Sequence, residues 1–133
     1  MFDIDPVRER INLLTEKIIG CSIEVHKAIG PGLLESAYEE CLCYELAQNN
    51  LRFERQVPLP VLYKGVNLDC GYRLDIIVED LVILEIKAVD RLMAINEAQL
   101  LSYLRMLDKR VGLLLNFHSS VLKNGIKRIV NNF

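Results

Sequence analysis

The stretch Ile83-Leu84-Glu85-Ile86-Lys87-Ala88 decides how this chain is interpreted, because it places an acid and an amine inside an apolar run. A short run rich in Val, Ile and Leu is typical of a β-strand, in which successive side chains alternate between the two faces. Glu85 and Lys87 therefore point to the same face. Charged side chains are seldom buried without a partner or a ligand, because their desolvation is costly. The pattern indicates a functional site on a predicted strand over Leu81–Val89.

A further acid interrupts the apolar run that comes just before this strand. Asp75 lies within Tyr72-Arg73-Leu74-Asp75-Ile76-Ile77-Val78, and Glu79-Asp80 follows it. If the two runs form a hairpin, Asp75 lies opposite Glu85 only when the loop is the three-residue Glu79-Asp80-Leu81 or when a bulge intervenes. Two carboxylates and a lysine on adjacent strands suit a hard divalent cation and a phosphodiester.

The remaining periodicity predicts helices on either side of these strands. Apolar residues at spacings of three and four predict helices over Pro6–Ile29, Leu33–Gln48 and Leu92–Leu107, with Leu34 and Ile95 among the apolar positions. Further strands are predicted over Arg52–Tyr63, Asn67–Val78 and Arg110–Phe117, with Val121–Val130 left open as a last one. Pro58 and Pro60 indicate an edge strand. We expect an α/β or α+β fold, a central mixed β-sheet flanked by helices.

Composition limits the classes of protein to which the chain can belong. Its 133 residues, 51% apolar and 26% charged, predict a single globular domain over residues 1–133. No apolar run reaches the roughly 18 residues needed to span a bilayer. The acidic segment Met1–Pro6 has no secretory features, so we expect no membrane association and a cytoplasmic location. Four cysteines without C-x-x-C spacing favour buried free thiols over a zinc site.

The net charge of −2 argues against tight non-specific binding to nucleic acid. It does not exclude an enzyme that acts on nucleic acid, because acidic metal ligands lower the sum and a bound cation offsets them locally.

Three groups of residues together resemble a known family. Asp75 followed by Glu85-Ile86-Lys87 resembles the D…(D/E)-x-K signature of the PD-(D/E)XK nuclease superfamily, with Leu74 in place of the proline. Gln99 and Tyr103, four residues apart on one helix face, resemble the Q-x-x-x-Y element of its RecB-like exonuclease branch. The segment Gly32-Leu33-Leu34-Glu35-Ser36-Ala37-Tyr38 is similar to the motif of the small bacterial GxxExxY proteins. The resemblance extends from about residue 12 to about residue 128.

The resemblance implies a restriction-endonuclease-like core and a metal-dependent nuclease. Mg²⁺, or Mn²⁺ in its place, would be held by Glu35, Asp75, Glu85 and the carbonyl of Ile86. Lys87 would orient or deprotonate the attacking water, or balance the charge of the phosphate. Gln99 and Tyr103 would position the phosphate or the Lys87 amine. The implied partner is nucleic acid, with DNA favoured over RNA.

The residues themselves leave other interpretations open. Glu85 and Lys87 also suit an exposed strand face, and Glu35 suits a helix N-terminus, where acids are favoured. Gln99 also suits a solvated position and Tyr103 a core position. The alternative function is a catalytically silent nuclease-fold module that binds nucleic-acid ends or a protein partner. Whether the protein works as a homo-oligomer is open as well.

Overall fold

A mixed five-stranded sheet, with its strands side by side in chain order, organises the protein. The computed structural model describes residues 4–133, so Met1–Asp3, the start of the acidic segment considered above, lie outside it. The helices are α1 (Pro6–Ile29), α2 (Glu35–Gln48) and α3 (Ala94–Leu107). The strands are β1 (Phe53–Tyr63), β2 (Val66–Val78), β3 (Val82–Lys87), β4 (Val111–Asn116) and β5 (Ile126–Val130). The predicted mixed sheet flanked by helices is confirmed.

The strand directions follow from the lengths of the connections. Short turns join β1 to β2 and β2 to β3 as antiparallel pairs, whereas α3 carries the chain across to a parallel β4. The antiparallel β5 completes the sheet. β1 is an edge strand, as its two prolines predicted, and all six residues of β4 are buried, as expected for a strand covered on both faces.

The helices cover opposite faces of the sheet. The α1 and α2 side chains pack against one face around Ile76, Leu84 and Leu113. α3 packs against the other face, where Leu100 and Leu104 belong to a second buried cluster. This division determines which face each strand residue presents to a helix.

The structure corrects three details of the sequence prediction. Leu34 is 78% exposed, because it lies in an extended segment just before α2 and not on its buried stripe. Ile95 is 71% exposed, since α3 turns Leu100, Tyr103 and Leu104 toward the sheet instead. Cys70 is exposed on β2, although all four cysteines are free thiols as expected. Among residues 4–133, no helix is long and apolar enough to cross a membrane.

Candidate active site

The β2–β3 hairpin brings Asp75 next to Glu85. The paired residues Ile77↔Ile83 and Val78↔Val82 leave a three-residue loop, Glu79–Leu81, as the sequence required for an opposed Asp75 and Glu85. The ladder stops one step before that pair. There the Asp75 Oδ2 atom accepts a hydrogen bond from the Ile86 N–H at 2.8 Å. The Asp75 side chain thus takes the place of a backbone partner in the strand pairing. Strands β2 and β3 separate at the carboxylates of Asp75 and Glu85, and this point is called the fork.

Glu85 is a buried acid without a full set of partners. The residue is only 4% exposed, and among residues 4–133 its Oε1 atom has no hydrogen-bond partner. Burial, followed by hydrogen bonding to Asp75 and the charge of Asp75, raises the pKa of Glu85 to about 9, although the charge of Lys87 lowers it. A buried carboxyl oxygen of this kind requires either a proton or a cation.

Lys87 follows Glu85 on the same strand face, the one that α3 covers, because side chains alternate along a strand. It is half-buried. Within the described part of the chain, no carboxylate lies within ion-pairing distance of its ammonium group. The ammonium charge is therefore available to a ligand instead of being neutralised by the fold.

Tyr103 is the side chain of α3 that lies near Asp75 and Glu85. Its ring packs edge-on against Tyr72 with the ring centroids 6.2 Å apart. Burial is the main cause that raises the pKa of Tyr103 to about 12, and the charges of Glu85 and Asp75 add to it. The phenol therefore lies within electrostatic range of both acids. Gln99 is half-buried one helical turn earlier.

Glu35 reaches the fork from the opposite side of the sheet. It is the first residue of α2, and its Oε1 atom accepts a hydrogen bond from the Ala88 N–H at 3.4 Å. Glu35, Asp75 and Ile86 line one cavity of about 360 Å³. Glu85 lies on the α3 side of the fork instead. Accordingly, no three His, Cys, Asp or Glu side chains in residues 4–133 are close enough together to hold a metal ion.

Tyr38 fixes the segment that precedes Glu35. Its hydroxyl donates a hydrogen bond to the Gly30 carbonyl at 2.7 Å and accepts one from the Leu33 N–H at 3.1 Å. Its ring is fully buried and stacks on Phe117 with the centroids 4.6 Å apart. The glycine-to-tyrosine segment thus has a structural role: it sets where α2 begins and where Glu35 points.

A buried cluster beside Glu35 was not predicted from the sequence. Glu39, one turn later on α2, is 7% exposed and accepts hydrogen bonds from Arg55 at 2.7 and 3.1 Å and from Gln56 at 2.8 Å. Gln56 has a left-handed φ of 51° and lies opposite Asp75 in the strand register. The i, i+4 spacing from Glu35 could have pointed to Glu39. No local signal could have predicted its partners.

By donor type, although not by their spacing within residues 4–133, the residues at this place fit a hard divalent cation. Such ions prefer carboxylate and carbonyl oxygens, which Asp75, Glu85, Glu35 and Ile86 supply. The unpartnered, buried Oε1 atom of Glu85 is the observation that supports this fit.

Comparison with known proteins identifies one family. A sequence model of the PD-(D/E)XK nuclease superfamily matches residues 12–129. No curated protein matches the chain significantly, and no solved structure does.

Proposed function

Because the chain belongs to the PD-(D/E)XK nuclease superfamily, we propose that it is a metal-dependent nuclease that hydrolyses phosphodiester bonds, with DNA favoured over RNA as its substrate. The fork between β2 and β3 supports this most directly. There a half-buried Asp75 meets a Glu85 carboxyl that has an unpartnered buried oxygen. A lysine without an ion pair among residues 4–133 follows on the same strand face.

The residues that would hold Mg²⁺ or Mn²⁺ are Glu35, Asp75, Glu85 and the Ile86 carbonyl. When bound, such a cation makes a water molecule more acidic and offsets the negative charge of the phosphate. Asp75 keeps one oxygen on the Ile86 N–H, which fixes the orientation of its carboxylate. Glu35 faces the same cavity as Asp75, so it enters the set from the α2 side.

The side chains around Asp75 and Glu85 have separate roles in binding and orienting the substrate. Lys87 donates hydrogen bonds that orient the attacking water, and its charge balances that of the phosphate. Tyr103 and Gln99 position the phosphate from α3. The buried apolar residues on both sides of the fork limit the access of bulk water, which strengthens these polar contacts.

We also propose that the protein belongs to the RecB-like branch and to the GxxExxY proteins within it. The electrostatic effect of Glu85 and Asp75 on Tyr103 and the hydrogen bonds of Tyr38 to the segment before Glu35 support this. Both tyrosines then have a physical reason to accompany the catalytic acids, since each holds a neighbouring element in place.

The experiment is a cleavage assay with purified protein. Labelled single-stranded DNA, duplex DNA and RNA are incubated with Mg²⁺, Mn²⁺ or EDTA. We expect metal-dependent cleavage that falls by about 100-fold or more in Lys87→Ala. Lys17→Ala is the matched control, because Lys17 is an exposed lysine on α1. Equal cleavage by wild type and Lys87→Ala would mean a contaminating nuclease and would remove the support for the proposal.

A catalytically silent module is the second candidate, favoured because no three acidic, His or Cys side chains in residues 4–133 are close enough together to hold a metal ion. Calorimetric titration with Mg²⁺ and Mn²⁺ distinguishes the two. Absence of metal binding by the wild-type protein, with Asp75 and Glu85 intact, would favour a module that binds nucleic-acid ends or a protein partner.

Two expectations about the whole protein stay predictions. Light scattering during size-exclusion chromatography measures whether it is a homo-oligomer. Fractionation of the native cells tests the cytoplasmic location.

A further inference from the structure

A second, polar cavity lies next to Lys87 on the sheet. Lys87 of β3 pairs with Asn116 of the parallel β4, and Asn116 lines this cavity of about 340 Å³. Its other walls come from the β3–α3 loop, the start of α3, the connection between β4 and β5, and the start of β5. The cavity thus lies at the carboxyl ends of the two parallel strands, where ligands commonly bind in α/β sheets.

Two cations reach this cavity from separate elements. Arg91 comes from the β3–α3 loop and Lys127 from β5. The register pairs Glu85 with Leu114 and Leu114 with Lys127, so Lys127 lies on the same sheet face as Glu85. Neighbouring strands are roughly 4.8 Å apart, which places Lys127 roughly 10 Å from β3, or about three nucleotides of B-form rise.

The loop that carries Arg91 is held in place by a buried amide. Asn116 is 2% exposed, its Oδ1 atom accepts from the Val89 N–H at 3.1 Å, and its Nδ2 group donates to the Val89 carbonyl at 2.9 Å. These two bonds fix the backbone two residues before Arg91. The backbone from which Arg91 extends is therefore anchored to β4.

Each of the two acids that line the cavity lies near a basic side chain. Asp90 lies 3.5 Å from His118, which carries a charge only when protonated, and Glu97 lies 3.9 Å from Lys127. Arg91 is exposed and, in the described chain, forms no ion pair. A guanidinium offers planar paired donors that match the oxygens of a phosphate. The free cation of this cavity is thus of the type that binds phosphate.

We propose that this cavity, the Arg91–Lys127 cleft, binds the sugar–phosphate backbone of the nucleic acid next to the scissile phosphodiester. The inference rests on the proposed nuclease function, since it assigns the cleft to the same substrate strand. Arg91 and Lys127 act there as positioning residues. They hold neighbouring phosphates, and Asn116 supports Arg91 through the loop.

Binding of fluorescein-labelled oligonucleotides in EDTA, which prevents cleavage, tests the cleft by fluorescence anisotropy at several NaCl concentrations. We expect Arg91→Ala and Lys127→Ala each to weaken binding several-fold. Each should also reduce the slope of log K against log salt by about 0.7 for a single strand or about 0.9 for a duplex. Arg91→Lys should keep the slope. Glu97→Gln should tighten binding, because it releases Lys127 from its ion pair.

The controls separate the cleft from the active site. Lys17→Ala, on the other side of the sheet, should bind like wild type. Wild-type affinity and salt slope in both Arg91→Ala and Lys127→Ala would overturn the cleft, even if Lys87→Ala abolishes cleavage. Absence of both binding and metal-dependent cleavage in the wild type would instead overturn the proposed function.

Discussion

At the scale of the single residue, Glu85 is an acid buried beside a second acid. Its carboxyl is buried beside Asp75, and the pKa of Glu85 is raised to about 9 mainly by burial. The unfolded chain ionises the same group at its ordinary pKa of 4.5. Between these two values the folded, metal-free state binds the additional proton, so stability falls as the pH rises through this window. Below the unfolded pKa the penalty is absent.

Replacing Glu85 by glutamine should therefore stabilise the metal-free protein by an amount that grows with pH. In EDTA, we expect the melting temperature of Glu85→Gln to exceed that of wild type by more at about pH 8.5 than at about pH 5.5, because the variant has no charge to bury. Glu54→Gln, at an exposed position of β1, is the control and should show no such trend. A difference that stays constant with pH would contradict the assignment.

The role of Tyr38 can be tested by removing a single atom, its hydroxyl oxygen. In Tyr38→Phe the ring can still stack on Phe117, but the Gly30 carbonyl and the Leu33 N–H each lose a partner. We expect a loss of about 1 to 2 kcal/mol in the free energy of unfolding, measured by urea denaturation. Tyr44→Phe in the same helix is the control, since Tyr44 is 64% exposed. Equal stability of the two variants would show that the hydroxyl does not hold the segment.

At the scale of the element, substitutions at two glycines separate the effect of side-chain packing from that of helix propensity. A Cβ atom on Gly125 would collide with the Ser119 Oγ and the Asn116 carbonyl, whereas one on Gly20 of α1 would meet nothing within 4 Å. We expect Gly125→Ala to destabilise the protein by about 1 to 3 kcal/mol and Gly20→Ala to stabilise it by up to about 1 kcal/mol. Thermal unfolding of both variants checks the signs. If Gly125→Ala is as stable as wild type, the turn before β5 adjusts to the added methyl group at little cost.

The sequence predicted those elements whose limits are set by local chemistry. α1 ends where predicted because Gly30, with a φ of 67°, allows the chain to leave the helix. Requiring Asp75 and Glu85 to share a face left a three-residue loop or a bulge between β2 and β3, and the structure has the three-residue loop. The starts of α2 and α3 were placed too early, because Leu34 and Leu92 are apolar and continue the pattern beyond the actual ends.

The sequence did not predict features that depend on distant residues. Glu39 and the pair Arg55–Gln56 are separated by a helix end and a turn, and only the folded sheet brings them together. The left-handed backbone of Gln56 likewise depends on its neighbours across the strands, since nothing in its own sequence favours that conformation. The separation of Glu35 from Glu85 on opposite sides of the fork could not be predicted either, because spacing within a strand does not show which face of the sheet a distant helix covers.

At the scale of the whole molecule, residues around the start of α1 contact the C-terminal part of the described chain. The guanidinium groups of Arg8 and Arg128 lie 4.6 and 4.9 Å from the centre of the Phe133 ring, and Arg8 donates a hydrogen bond to the Phe133 carbonyl at 3.0 Å. Arg110 pairs with Asp5 at 2.8 Å. Contacts between residues this far apart in sequence join the start of α1 to the β4–β5 side of the sheet.

We therefore expect the protein to unfold in one cooperative transition, as predicted for a single domain. The helical layers share one sheet, so losing either layer exposes the apolar strands β3 and β4 to water. Urea unfolding followed by far-ultraviolet circular dichroism reports the helices. The near-ultraviolet signal reports tyrosines that include Tyr38 in one core and Tyr103 in the other. The two curves should coincide, and separate midpoints would mean that the layers are independent units.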